Sequence, residues 1–333
     1  MTGHVLGVDR FPATASGYGR LAEWAVRWGA VRRAGVECSG NYGAALSRHL
    51  PEGITVVEAP GPGLAARRRR SKSDEGDAVA AARSVLSGRA QSPVKAGDGP
   101  VEIARIYLMA RNSAVKAKRQ AVNQIKALLV TTDPALREEL RSLSRRRLTL
   151  FCLQLSEGGQ EVDSTVRATR FTVRVLAERI EQLEGQARVL DQRLAELIGT
   201  YYPCLLDAVG VGPHSAAVLL TALGDNSERM RGEASFAALC GASPVEYSSG
   251  SRQHRRLNRG GNRQANAALH RIVLSRLRWD SRTQAYYERR VAEGKTRREI
   301  IRCLKRYVAR EIYRLIATSR EELVNGPNRQ LAP

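Results

Sequence analysis

Ala34-Gly35-Val36-Glu37-Cys38-Ser39-Gly40-Asn41-Tyr42-Gly43 is the stretch whose reading decides the fold. Its first half is short and apolar with a polar end, and its second half is turn-forming. It therefore reads as a strand, Ala34 to Cys38, delivered into a turn that opens a helix. Working outward, Val5 to Phe11 reads as an earlier strand, with an amphipathic helix from about Gly17 to Gly29 between the two. Ile54 to Ala59 reads as a third strand, stopped by Pro60-Gly61-Pro62-Gly63. Strands alternating with helices predict an α/β sheet domain over residues 1–96, closed by Gly97-Asp98-Gly99-Pro100.

The rest of the chain reads as all-α. Residues 97–200 are a helical region in which Leu176, Ile180, Leu183, Ala187, Leu190, Leu194 and Leu197 recur in steps of four and three, a coiled-coil seam. The seam suits a helix packed inside one domain and a helix paired with a second chain equally well. Residues 201–333 form a third region. It holds a turn at Gly210-Val211-Gly212-Pro213-His214, a Ser/Gly/Arg-rich loop at 243–263, and basic helices to about residue 320.

The 333 residues carry a formal net charge of +21. Residues 1–150 hold 25 Lys+Arg against 13 Asp+Glu, and residues 201–333 hold 23 against 12, whereas residues 151–200 hold 6 against 8. Two basic blocks around a near-neutral spacer suit a protein that grips nucleic acid in two places. A membrane-surface protein would concentrate its charge on one amphipathic helix. No apolar stretch approaches the roughly 18 residues of a spanning helix, and Met1 to Gly7 has neither the basic start nor the long apolar run of a leader, so none is expected. The five cysteines lack C-x-x-C spacing, which argues against zinc and predicts buried thiols in a reducing compartment. The expectation is a cytoplasmic, DNA-handling protein without membrane association.

Glu37 ends a strand at a glycine turn, where α/β sheets place active groups and where solvated glutamates also sit. In Lys72-Ser73-Asp74-Glu75-Gly76-Asp77-Ala78, Asp74 and Asp77 share one face at the start of a helix. Two close carboxylates repel unless a cation joins them, and hard Mg²⁺ prefers oxygen; helix capping by Asp is the plainer alternative. Arg67, Arg68, Arg69 and Arg70 lie just upstream and suit a phosphodiester backbone. The turn at Gly210 is either a helix-hairpin-helix element, open to phosphate, or an ordinary interhelical turn. Ser248, Ser249 and Ser251 lie in an arginine-rich loop with no local group to activate them except His254. Arg252, Arg255, Arg256, Arg259 and Arg263 fit a phosphate-gripping loop.

Five stretches taken together carry a resemblance: Val36-Glu37-Cys38-Ser39-Gly40-Asn41-Tyr42, Lys72 to Ala78, Gly210-Val211-Gly212-Pro213, Phe236 to Pro244, and Arg259-Gly260-Gly261-Asn262. In order and spacing the chain resembles the DEDD transposases of insertion sequences. These are relatives of the Piv-type DNA invertases and are known as bridge-RNA-guided recombinases. The resemblance implies a RuvC-like, RNase H-like N-terminal domain whose Glu37, Asp74 and Asp77 bind Mg²⁺. It implies a serine nucleophile placed directly before a glycine, Ser249, with Ser248 as the fallback, and a phosphoserine–DNA intermediate. It further implies DNA and a guide RNA as partners, and a dimer or tetramer. One departure stands out. The family's first carboxylate lies on the opening strand, and Asp9 fits it only superficially, because a single strand precedes the first helix here. The expectation is that Asp9 is not catalytic and that the domain lacks its first strands. Two alternatives remain: a metal-dependent RuvC-like nuclease that uses water, and an inactive DNA-binding transposon remnant.

Overall fold

The computed structural model describes residues 3–37, 43–59, 73–94, 97, 99–131, 134–159, 161–224, 230–250 and 255–325. The chain forms two compact units, residues 1–102 with 223–236, and residues 103–222 with 237–331. It is mostly helical.

In the first unit, β1 (Arg33–Val36) and β2 (Thr55–Glu58) pair in parallel, with Val36 opposite Glu58. Both strands lie where the sequence places them. Helix α1 (Ala15–Val26) starts at Thr14, whose hydroxyl accepts a hydrogen bond from the Gly17 N–H at 3.2 Å. Helix α2 (Ala44–His49) follows β1, and α3 (Asp74–Leu86) packs on β1. The approach is close. A Cβ on Gly35 would lie 2.6 Å from Val85 Cγ2 and 3.1 Å from the Ala81 carbonyl oxygen.

Val5 to Phe11 is not a strand, contrary to the expectation: residues 3–12 carry no ladder. Gly7 lies against the rings of Trp24 and Trp28, and the Phe11 ring stands 5.8 Å from that of Trp24. The segment has β propensity, but a strand forms only beside a partner, and here aromatic packing on α1 holds the segment instead.

In the second unit, α4 (Pro100–Thr131), α5 (Pro134–Arg141), α6 (Arg145–Gln154) and α7 (Ser164–Tyr201) come first. Arg111–Asp191 at 2.8 Å and Lys118–Glu184 at 3.0 Å advance along α4 and retreat along α7, so the two long helices run antiparallel. Val173, Ile180, Ala187 and Leu194 of α7 are buried, one every heptad. Val122, Ile125 and Leu129 of α4 join Leu148 and Cys152 of α6 and Val173 and Ile180 of α7 in one core. Part of the predicted seam is thus used within the chain, while Leu176, Leu183, Leu190 and Leu197 lie half-buried on its flank. Burial pushes the Cys152 thiol up to about 11.

Helices α8 (Pro203–Asp207) and α9 (Pro213–Leu223) follow, and after α10 (Glu233–Leu239), which begins in the first unit's residues and ends in the second's, comes a two-stranded hairpin, β3 (Val245–Glu246) with β4 (Arg255–Arg256), paired antiparallel. Helices α11 (Arg263–Trp279), α12 (Ser281–Ala292) and α13 (Arg297–Asn325) complete the unit. Arg276 of α11 forks onto Glu311 of α13 at 2.7 and 2.8 Å, and its Nε donates to the Val209 carbonyl at 2.7 Å. Such bidentate pairs fix orientation as well as charge. Among the described residues no helix is long and apolar enough to cross a membrane.

Candidate functional site

The first unit places Glu37, half-buried, in the turn directly after β1. Asp74 and Asp77 stand in the first turn of α3. Neither caps the helix. The N-cap is Ser73, whose hydroxyl accepts from the Gly76 N–H at 3.2 Å, so neither aspartate serves as the cap. Their charges still complement the positive end of the helix dipole. Glu75, in the same turn, pairs at 3.3 Å with Arg10, and Asp9 accepts from the Arg10 N–H at 2.7 Å on the exposed N-terminal segment. Among the described residues, no group of three or more His, Cys, Asp or Glu side chains could hold a metal ion, so Glu37, Asp74 and Asp77 do not close into such a group.

One carboxylate here escaped the sequence reading. Glu58 ends β2 opposite Val36, and its Oε2 is buried without a hydrogen-bond partner. A buried, unsatisfied carboxylate oxygen is completed by a hydrogen-bond donor or a cation beside it. The available signal was positional: Glu58 is the last residue of a strand parallel to the one that delivers Glu37. Arg67, Arg68, Arg69 and Arg70 lie outside the described residues, as do Cys38, Ser251, Arg252 and His254.

In the second unit the predicted loop is a hairpin on a fixed base. Two segments cross behind it, 239–241 and 258–262. A Cβ on Gly261 would lie 2.3 Å from the Gly241 nitrogen and 2.9 Å from the Leu239 carbonyl oxygen. Gly241 itself has φ +65°, where a side chain is strained. Three asparagines pin the crossing. Asn258 donates to the Ala238 carbonyl at 3.1 Å, and Asn266 donates to that of Cys240 at 2.8 Å. Asn262 caps α11, accepting from the Gln264 and Ala265 N–H groups at 3.0 and 3.1 Å. Burial raises the Cys240 thiol to about 12, so it is an inert wall of this base.

On the hairpin, Ser249 is exposed, and Gly250 after it has φ +60° with open space around its Cα. Ser248 donates to Glu246 Oε1 at 2.9 Å. The sequence offered only His254 as a local acceptor for these hydroxyls; Glu246 is another, and alternation along a strand, which puts residues i and i+2 on one face, was the signal. It serves Ser248 and not Ser249. Arg256 stacks its guanidinium 5.5 Å from the Tyr247 ring centroid. Arg259 and Arg263 are exposed, and Arg255 lies on β4.

The turn before α9 is explained mainly by packing. Gly210 has φ +78°, and a Cβ there would meet the Ile272 carbonyl oxygen at 3.1 Å. His214 Nδ1 accepts from Arg271 at 3.3 Å, and its Nε2 is buried without a partner. Burial first, then Arg111 and Arg271, push the imidazole down to about 4, so the ring is neutral at pH 7.

The two stretches that hold the carboxylates and the serine hairpin each match a family of transposases. A DEDD transposase family of IS110 elements matches residues 1–134, and the Transposase IS116/IS110/IS902 family matches residues 202–288. In both stretches the chain is similar to IS110-type insertion-sequence transposases. It is 32% identical over 134 residues to a Streptomyces coelicolor protein described as the insertion element IS110 uncharacterized 43.6 kDa protein. That stretch covers 39% of this chain and 33% of the relative, so the chain spans about a third of the length of the curated relative it matches.

Proposed function

We propose that this protein is a transposase that cuts and rejoins DNA of its own insertion sequence, with Ser249 as the nucleophile. The observation that carries this reading is that the whole hairpin and its glycine crossing fall inside the second family match, residues 202–288. Ser249 is exposed beside an open glycine, so a phosphodiester can reach its hydroxyl. Attack forms a bond from Ser249 Oγ to phosphorus and breaks the bond from phosphorus to a deoxyribose oxygen. That oxygen takes up the proton the serine loses. The phosphoserine keeps the energy of the broken bond, so a second strand's hydroxyl reverses the step and seals the exchange. Arg256, Arg259 and Arg263, with Arg252 and Arg255 of the same segment, neutralise the phosphates on either side.

In the first unit, Glu37, Asp74 and Asp77 would hold Mg²⁺, for which carboxylate oxygens are the right donors, and bound Mg²⁺ supplies charge neutralisation at the phosphate. Among the described residues the three do not close into a metal-holding group, and like-charged carboxylates repel where no cation joins them. A RuvC-like, RNase H-like sheet, a guide RNA, and an assembly in which carboxylates and serine come from different subunits complete the proposal. Arg67 to Arg70 would meet the same nucleic acid. The test is strand exchange in Mg²⁺ with the element's ends and candidate RNA. Ser249→Ala and Asp77→Asn should each lose exchange while DNA binding persists. Exchange at the wild-type rate in Ser249→Ala refutes the assignment, and exchange without RNA refutes guidance.

A further inference from the structure

Beside the base of the hairpin the second unit contains a cleft of about 840 Å³. Its walls come from the crossing loop after α10, from β4 and the residues after it, and from α12 and α13. Six cationic side chains line it, Arg256, Arg290, Lys295, Arg302, Lys305 and Arg306, against one carboxylate, Glu299. Glu299 is already engaged: it accepts from the Thr296 N–H at 2.9 Å and hydroxyl at 2.7 Å. Most of the positive charge therefore has no counter-charge in the walls.

Lys305 indicates what the cleft is for. It is only 8% exposed, yet its Nζ donates to a neutral group, Asn266 Oδ1, at 2.9 Å. None of the ion pairs among the described residues involves it. A buried ammonium is normally paired with a carboxylate or another anion. Asn266 cannot turn away, because its amide nitrogen is held by the Cys240 carbonyl at 2.8 Å. Burial, then the nearby Arg302, lowers the lysine's affinity for its proton, so its charge is costly while the cleft is empty of anions. Arg290 adds a second sign: its Nε is buried without a partner, although its terminal nitrogen pairs with Glu293. An ammonium paired only with an amide and an orphan guanidinium N–H are both completed by one kind of group, an acceptor oxygen carrying negative charge.

We propose that this cleft binds the phosphodiester backbone of the DNA strand that runs on from the serine hairpin, with Lys305 as its innermost contact. DNA is favoured because Arg256 belongs both to the cleft wall and to β4 of the hairpin, so a strand lying against Ser249 continues into it. Six cations along one cleft suit successive phosphates of a strand better than a single inorganic phosphate. The site rests on the reading of the hairpin as the element that engages DNA, but it requires no chemistry at Ser249.

The test uses the full chain and a labelled duplex carrying the element's end, titrated at several salt concentrations. Lys305→Met should weaken binding about tenfold and flatten the salt dependence by about one phosphate contact. Because a buried substitution can disturb folding, the exposed pair Arg302→Gln and Arg306→Gln is tested alongside, with the same direction expected and an unchanged thermal midpoint. Ser249→Ala should bind like wild type, so loss of exchange in that variant and loss of binding in the cleft variants are read separately. Wild-type affinity and salt slope in both cleft variants overturn the proposal. So does a loss confined to a structured RNA of equal length, or competition by inorganic phosphate alone at low millimolar concentration.

Discussion

At the base of the serine hairpin two loops cross backbone to backbone, whereas the carboxylates around the small sheet, Glu37 after β1 and Asp74 and Asp77 in the first turn of α3, share no common partner among the described residues. Gly241, Gly261 and three asparagines fix where the hairpin leaves the second unit. Glu37, Asp74 and Asp77 are each fixed locally, by a turn and by a Ser73-capped helix, but nothing among the described residues draws the three together. The difference is physical. Neutral asparagines and glycines satisfy a crossing from within the chain, while like-charged carboxylates repel until a cation joins them. The hairpin base should therefore be insensitive to Mg²⁺, and the carboxylates should respond to it.

The largest effect should come from filling the crossing. Gly261→Ala puts a methyl 2.3 Å from the Gly241 nitrogen, with backbone on more than one side, and should destabilise the second unit by about 3 kcal/mol. Chemical denaturation and hydrogen exchange over residues 237–270 measure it; wild-type protection would mean the crossing is looser than described. Gly35→Ala makes the same change in the other region, but its nearest neighbour is a Val85 methyl at 2.6 Å, which can shift. A loss of about 1 to 2 kcal/mol is expected, confined to the first unit. If Gly35→Ala cost as much as Gly261→Ala, the contrast between the regions would fail.

A smaller comparison separates capping from ligand duty within α3. Ser73→Ala should cost about 1 kcal/mol with or without Mg²⁺. Asp77→Asn should cost less without Mg²⁺ and should abolish any Mg²⁺-dependent rise in melting temperature. An equal loss for the two variants in chelator would return Asp77 to a structural role. The smallest effect concerns pH. His214 is neutral in the folded protein, with its ring held down to about 4 from 6.5. The unfolded chain thus binds more protons between those values. The contribution is complete above pH 6.5 and drains away as the pH falls toward 4. Melting temperature should decline over that window in wild type and less steeply in His214→Gln; identical slopes would remove the histidine from the account.

Much of this was legible in the sequence where the signal is local. Two of the three predicted strands and the long periodic helix through Leu194 lie where pattern places them, because alternation and heptad spacing act over a few residues; the helix expected from Ala78 opens a turn earlier, at Asp74, because Ser73 and not an aspartate caps it. Val5 to Phe11 did not become a strand, because strands depend on partners and aromatic packing on α1 competes. The candidate residues were visible as types. Their supports were not: Asn266 under Lys305, Glu58 at the end of β2, and Glu246 beneath Ser248 depend on contacts that spacing alone does not encode. The half-buried leucines of α7 show the limit most clearly. Their repeat predicts an interface and does not say whose.

The central claim is that Ser249 carries the DNA through a covalent intermediate. The most direct measurement incubates the full chain with the element's ends, Mg²⁺ and its RNA, stops the reaction in denaturant, and maps the attached nucleotide by mass spectrometry. The account predicts a phosphodiester on Ser249, absent in Ser249→Ala. Cleaved DNA with no protein attached, or a nucleotide on Ser248 or Ser251, would contradict it.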